Sequence, residues 1–483
     1  FFPAIDPKQF EGHGDGPGVS SQQAVADLNK ALSAGFASDP ASQTGGGALR
    51  VESLDATLKI VSFMMKNIIF YNDIPKSKAY NTVEEYNLLS KYGGRGGFFI
   101  NEGGLPRTED STYQRKVQFV KFMGTTREIT HPMLLVRPAH GNVVSLETKN
   151  GVMWMMQRME EQLFRGDSSI LSESYNGLEK QLVDGYSDPN TAGDGRPNVS
   201  SEHIFDLRGK PLTEAAFQEA SRVLLDNYYY PTHCYLNHTN HADFSKSFFS
   251  KGRYSIPVGG DHQVGFSVDR VRTNGGVVEL RPDVFLRVNE TVPAAADNPA
   301  APTAPAAVAI TVQGVSTSRG FKADEVGTYR YEVTAISKSG ESAGTIGASD
   351  ATVAVDDEVK IDITRGAVSG NDLTAGYRVY RSRLEDGVAG ARYLVKEVSS
   401  AGALTTYLDG NEYLPGYGTA FLGQLDESVL TLRELSPLLK FPLATVASSI
   451  RWMQLYYNTP IVFRPRGWVI MRNIGPLREP ALG

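Results

Sequence analysis

The 483-residue chain holds a single cysteine, Cys234. An intrachain disulfide framework is therefore excluded, and this usage fits assembly in a reducing cytoplasm. Long apolar runs are also missing. None reaches the roughly 18 residues needed to span a bilayer, so no membrane helix is expected. Neither sign of charge dominates: 48 Lys and Arg stand against 54 Asp and Glu, a net charge of −6 that argues against a whole-surface nucleic-acid binder. No phosphate-binding loop, zinc-protease helix, nucleophile elbow or paired-cysteine motif occurs. The chain opens FFPAID, without Met or a charged-then-apolar leader. A processed or late start is the expectation from that opening.

What is there begins with a discontinuity. Thirteen of the eighteen residues from 292 to 309 are Ala or Pro. Such a stretch carries too little bulky apolar surface to fold alone and favours an extended, semi-rigid connection. Beyond it, GTYRYEVTAISKSGES alternates Tyr329, Tyr331, Val333 and Ala335 on one side of a strand and turns at Ser339-Gly340. AGYRVYRS and TTYLDG supply further strands. These segments resemble a fibronectin type III or related immunoglobulin-like sandwich over 309–423, without the cysteine pair of antibody domains. After Gly423 the chain resumes the style of its first 290 residues, so the sandwich reads as an insert in a host.

In the host, residues 1–47 carry eight glycines and read as an extended arm, with one short helix around Val25, Leu28 and Leu32. Leu54, Leu58, Val61 and Met65 predict an amphipathic helix, and IIFYNDI (68–74) predicts a strand. Residues 75–130 form a long excursion: the strand TVEEYNLL, a glycine-rich tip with KYGGRGG and NEGGLP, and a return strand KVQFVKFM. So little core lies beneath such a hairpin that its stability must come from packing on something else. The longest helix, VSLETKNGVMWMMQRMEEQLFRGD, is expected to start at Ser145, to end at Gly166-Asp167, and to bury Leu146, Met153, Met156, Met159 and Leu163. Thr213 caps a further helix, LTEAAFQEASRVLLDN.

Candidate chemistry is sparse. His233, Cys234, His238 and His241 are zinc-competent, but their spacing fits no common finger and Asn237 and Thr239 predict a turn. The glycines from Gly14 to Gly18 lack the flanking strand and helix of a dinucleotide site. Glu160 and Glu161 are expected to point outward from the long helix. Asp356, Asp357 and Glu358 read as an acidic loop rather than a calcium site. Arg95, Arg107, Arg115, Lys116, Arg464, Arg466 and Arg472 are suited to pairing with carboxylates across subunit contacts. The sequence assigns no catalytic, cofactor-binding or metal residue, and no cofactor.

The order of parts resembles the major capsid proteins of tailed bacteriophages. The resemblance rests on arrangement and on two stretches: Gly47 to Gly93, GALRVESLDATLKIVSFMMKNIIFYNDIPKSKAYNTVEEYNLLSKYG, and Leu435 to Ile474, LSPLLKFPLATVASSIRWMQLYYNTPIVFRPRGWVIMRNI. It implies an α+β capsid fold with an inserted sandwich. By resemblance, 1–50 is the N-terminal arm, 51–71 a helix and strand of the peripheral domain, and 72–130 the E-loop. The peripheral domain takes 131–224, with a spine helix at 143–166; 225–291 is the axial domain and 292–308 the linker. After the insert at 309–423, 424–445 returns to the axial domain and 446–483 supplies closing peripheral strands. The family's Lys–Asn crosslink has no assignable pair here.

The resemblance also implies a non-enzymatic shell subunit, assembled in the host cytoplasm and resident in the virion. It would form hexamers and pentamers with copies of itself. Expected partners are a portal, a scaffold and maturation protease, decoration or cement proteins, and packaged double-stranded DNA held non-specifically; no membrane is expected. Two physical features agree with a shell. The arm and hairpin bury little within one subunit, and the closing strands are apolar on both faces, with Trp468 and Ile470 opposite Val469 and Met471. Closed shells repeat such contacts around several symmetry axes, and obligate contacts bury about 2,000 Å² or more. The rivals are a surface adhesin using the sandwich as its binding module and an enzyme with an accessory sandwich, which would need two carboxylates in a cleft.

Overall fold

A computed structural model of the chain describes residues 64–94, 99–136, 142–188, 200–248, 268–287, 289–314, 320–367, 374–444 and 447–477. Nearly all belong to one compact unit, Ser62–Leu135 with Val144–Gly483; the other unit is Phe1–Val61 with Val136–Val143. The expected arm, the helix around Leu54 to Val61, Arg95 and the glycines from Gly14 to Gly18 lie outside the described residues.

A short helix α1 (Phe70–Asp73) leads to β1 (Lys76–Lys78) and the antiparallel pair β2 (Val83–Lys91) and β3 (Thr112–Phe119). Next come β4 (Lys121–Thr130), α2 (His131–Leu135), the long α3 (Val143–Arg165) and α4 (Leu178–Ser187). β5 (Ile204–Asp206), α5 (Glu214–Asp226), β6 (His233–Leu236), α6 (His238–Ser247), β7 (Arg270–Thr273) and β8 (Gly276–Pro282) follow. A run of strands continues with β9 (Ala307–Gly314), β10 (Gly327–Tyr329), β11 (Tyr331–Ser337), β12 (Gly340–Glu341), β13 (Thr345–Ile346) and β14 (Ala351–Val353). β15 (Asp357–Thr364), β16 (Gly376–Ser382), β17 (Arg392–Ser399) and β18 (Leu404–Asp409) complete that run. The chain closes with β19 (Gly418–Gly423), β20 (Leu430–Pro442), β21 (Ser449–Val462) and β22 (Trp468–Ile474). The class is α+β, as the sequence implied.

Two host sheets share one core. The first has the order β1-β20-β21-β4 and carries α3 on one face. Gln454 on β21 donates to the Thr148 carbonyl at 2.7 Å, and a Cβ at Gly151 would collide with the Gln454 amide. This close approach explains a mid-helix glycine, which costs about 1 kcal/mol in an exposed helix. The second sheet is mixed, in the order β5-β22-β19-β6-β8-β7. Its strand β22 is buried throughout: Trp468 and Ile470 face the α3 core, while Val469 and Met471 face Phe217 and Leu224 of α5. The apolar-on-both-faces reading of this strand is met. Phe70, Phe164 and Tyr235 join α1, α3 and β6 through ring contacts of 4.4 and 4.7 Å about Phe70.

Several expectations are corrected. IIFYNDI is a helical turn, because three of its N–H groups are capped by Glu160. α3 begins at Val143, ahead of Ser145, and ends at Gly166 as expected. Its buried positions are Met155, Met156, Met159, Glu160, Leu163 and Phe164, with Trp154 exposed. The return strand of the excursion divides at Val120, where β3 leaves β2 and β4 joins the first sheet.

The sheets also group residues differently from the expected boundaries. β20 pairs with β21 along its length, so a boundary at 445 would separate hydrogen-bonded partners. β22 lies in the second sheet, beside β19 and β5, apart from β21. β19 likewise pairs with β22 and β6, while the strands from Ala307 to Asp409 pair only with one another. Those strands form the sheets β18-β15-β9 and β12-β11-β16-β17, with Val308, Tyr331, Val333, Ile361 and Val379 in the core they share. The Ala/Pro stretch is laid on them: Asp297 donates to the Glu341 carbonyl at 3.0 Å, and its carboxylate accepts from the Glu341 N–H at 3.1 Å.

Candidate functional site

The residues that hinted at chemistry do not converge. Cys234 is buried, which pushes its thiol up and leaves it inert. His233 sits against Thr232, and the His241 ring contacts the Val268 carbonyl at 2.9 Å. The expected turn at Asn237 is instead an N-cap: its side chain accepts from the Thr239 N–H at 2.8 Å and starts α6. Among the described residues no group of three His, Cys, Asp or Glu could hold a metal. Asp356 takes a positive φ of 63° and pairs with Lys322 at 3.6 Å.

The arginines divide. Arg466 and Arg472 are buried, and Arg472 pairs with Glu179 at 3.1 Å and Glu412 at 3.3 Å within the chain. Both were expected at subunit contacts; their burial within the chain corrects that. Arg464 stays exposed. On the excursion Arg115 meets Glu85 at 3.3 Å, and Lys116 reaches Asp188 at 2.5 Å.

The excursion is held at its base and bare at its end. Tyr86 packs edge-on to Phe463 with centroids 5.0 Å apart, and the Val120 N–H donates to the Thr82 carbonyl. Toward the tip, Tyr92, Phe99 and Leu105 are 78, 91 and 94% exposed. Apolar side chains this exposed on a thin hairpin mark an interaction surface.

The seat of the long helix holds a group that sequence reasoning misplaced. Glu160, expected outward, is fully buried; only Glu161 is at the surface, paired with Arg158 and Arg287. Glu160 accepts from the N–H groups of Ile69, Phe70 and Tyr71 at 2.9, 2.7 and 3.0 Å. Asp283, also fully buried, accepts from the Phe285 N–H through Oδ1, and its Oδ2 meets no protein donor. The two carboxyls are hydrogen-bonded to each other, which requires that they share a proton. Burial, then the charge and hydrogen bond of Asp283, push Glu160 up to about 9 against the pull of the Tyr71 and Phe70 amides. Burial also raises Asp283. The pair is sealed in the core, so it can hold structure but offers no cleft for a substrate. The one sequence signal was its position: Met156, Leu163 and Phe164 lie four before, three after and four after it, on one helical face.

A cleft of about 260 Å³ lies between insert and host, lined among others by Arg165, Glu179, Lys180, Tyr413 and Arg472. Its charges are spent on one another, as in Arg472–Glu179 and Lys396 over the Tyr413 ring at 4.9 Å.

No family model matches the chain. The major capsid proteins of Staphylococcus phage S25-3 and Staphylococcus phage K are each 26% identical to it over 467 residues, covering 94% of this chain and 96% of theirs. The putative major capsid protein of Enterococcus phage phiEF24C is 26% identical over 458 residues, covering 93% and 94%. Among solved structures, the capsid of the native GTA particle gives a TM-score of 0.48 at 9% identity, over 90% of this chain and 99% of that one. Sequence similarity thus runs nearly the length of both partners, and the chain is similar throughout to the major capsid proteins of tailed phages.

Proposed function

We propose that this chain is the shell-building subunit of a phage head, a structural protein that assembles with copies of itself into capsomers. The observation that carries the reading is the match over 94% of this chain and 96% of its relatives, which leaves no room for an unrelated catalytic domain. The same coverage argues that the relatives carry a counterpart of the insert, since the unmatched remainder is far smaller than 307–409. The bare excursion supplies the physical complement: its tip must be covered, and a neighbouring subunit covers it in a shell.

In finer detail we assign β2 and β3 with their tip to the E-loop and α3 to the spine helix. The first sheet becomes the peripheral domain, the second the axial domain, and 307–409 an immunoglobulin or fibronectin III-like insert. Hexamers and pentamers around double-stranded DNA, with a portal, scaffold and maturation protease, and cement proteins as further partners, follow from the same reading. Negative-stain microscopy of the purified chain across a salt and concentration series tests it. Rings of five or six, tubes or shells are expected. Monomers or dimers under every condition, even with a scaffold supplied, would overturn it in favour of the adhesin.

A further inference from the structure

A sandwich joined to its host by an Ala/Pro stretch is free to hang as an appendage, yet its attachments here are those of a fixed part. Two segments connect it to the host, 289–291 and 411–417, and one insert side chain grips both. Arg383, at the end of β16, donates to the carbonyls of Pro415 at 3.1 Å and Gly416 at 2.7 Å and to Asn289 Oδ1 at 3.1 Å. Its guanidinium also lies over the rings of Tyr393 and Tyr417, 4.2 and 5.8 Å from their centroids. The incoming segment is sewn to the edge of β17, through the Leu394 N–H to the Glu290 carbonyl at 3.0 Å and a bridge between Thr291 and Tyr393.

Three further ties reach past the connections. Glu290 is shared between Arg165, the last residue of α3, at 2.9 Å and Arg378 of β16 at 3.2 Å. Burial by itself would raise the Glu290 carboxyl, but Arg378, Arg165 and Arg287 outweigh it and hold it below the usual range. Arg208, just after β5 of the second sheet, meets Glu325 of the insert at 3.4 Å. Ile170, beyond the end of α3, packs where a side chain on Gly376 would stand. Insert and host accordingly fall in a single compact unit.

We propose that the insert is an intramolecular brace, which fastens the C-terminal end of α3 to the second sheet and limits their relative motion. Arg383 and Glu290 are its locking residues. The ties sit where a brace needs them, since one set reaches α3 through Arg165 and Ile170 and the other reaches the sheet through Arg208 and the 411–417 segment. Phe164 near the end of α3 already stacks on Phe421 of the second sheet, 5.7 Å between centroids, and the insert adds a second, polar attachment outside that core. The brace acts on motion inside one subunit and would exist whether or not the subunit builds a shell.

Hydrogen exchange on the unassembled chain tests it, comparing the parent with Arg383→Ala, Glu290→Gln and Arg208→Ala. Loss of a charged hydrogen bond of this kind is expected to speed exchange about tenfold in residues 160–170 and 204–208. The insert strands 331–337 and 359–363 should keep their protection. Arg208→Ala removes a tie that neither hinge needs, and it keeps the test readable if Arg383→Ala unfolds. Unchanged exchange in 160–170 and 204–208 for all three variants would overturn the proposal and restore the appendage. Loosening confined to the insert would overturn it equally.

Discussion

Replacing Glu160 by Gln separates the shared proton of the buried carboxyl pair from the packing around it. In the folded chain the pair keeps a proton that the unfolded chain releases near the ordinary carboxyl value of 4.5, and burial with Asp283 moves that release up to about 9. Between those limits the folded state binds one proton more than the unfolded state. Stability is therefore fully present at low pH and falls as pH rises, by about 1.4 kcal/mol per unit, until the pair ionises. From pH 6 to pH 8 the loss is about 3 kcal/mol. Glutamine resembles the protonated acid in part: its oxygen can keep the Ile69 and Phe70 bonds that Oε1 accepts and its amide can donate to Asp283, but the Tyr71 N–H that Oε2 accepts loses its acceptor. Glu160→Gln should lie below the parent near pH 6 by about 1 to 3 kcal/mol for the Tyr71 amide left unpaired, yet lose about 3 kcal/mol less on going to pH 8. Urea unfolding of unassembled subunits at both values gives this double difference, in which the other titrating groups cancel. Glu160→Ala leaves three amides without an acceptor and should be weaker at both, by about 1 to 3 kcal/mol for each unsatisfied group. Equal pH slopes in the parent and Glu160→Gln would refute the shared proton.

Three other changes bear on the architecture. Arg381 and Asp409 form a buried ion pair at 2.6 Å inside the insert, with the Tyr331 hydroxyl donating to the same carboxylate at 2.8 Å. Arg381→Met leaves that carboxylate unpaired and should cost about 3 to 5 kcal/mol in urea unfolding, with Asp409→Asn restoring part of it. Deleting 309–423 removes β19 from between β22 and β6 and should give insoluble chain, whereas deleting 292–409 with a Gly/Ser bridge should leave soluble, less stable host; a solubility and melting comparison decides. Shortening the tip from Gly93 to Gly104 should leave circular dichroism unchanged while micrographs lose their particles, and normal particles would contradict its role in assembly.

Legibility followed how local each signal was. The Thr213 cap was readable because its partner, the Ala216 N–H at 3.3 Å, is three residues away. The two-faced pattern of Trp468 to Met471 was readable because alternation within one strand records both neighbours at once. IIFYNDI failed because a short apolar run suits strand or helix equally, and the deciding group, Glu160, is some 90 residues distant. Glu160 itself was lost by weighing its charge above its place in an apolar stripe. The end of the insert was missed because GTAFLG is as strand-like as TTYLDG, and only pairing assigns the two to different sheets. The excursion was legible, through glycines with no core beneath them.

The placement of β22 bears on how the chain comes off the ribosome. It lies between β19 and β5, one drawn from some 50 residues earlier and the other from more than 260, and it contributes side chains to both host cores. Neither core can close until residues 468–474 have emerged, so both wait on the same late-synthesised segment. Contacts of such long sequence separation form slowly. The excursion, by contrast, pairs β2 (ending at Lys91) with β3 (starting at Thr112), a separation far smaller than that of β22 from its partners, and can form early. A nascent subunit thus exposes its sticky hairpin well before its body is finished, and the interval between the two events is when premature association with another unfinished chain must be held off.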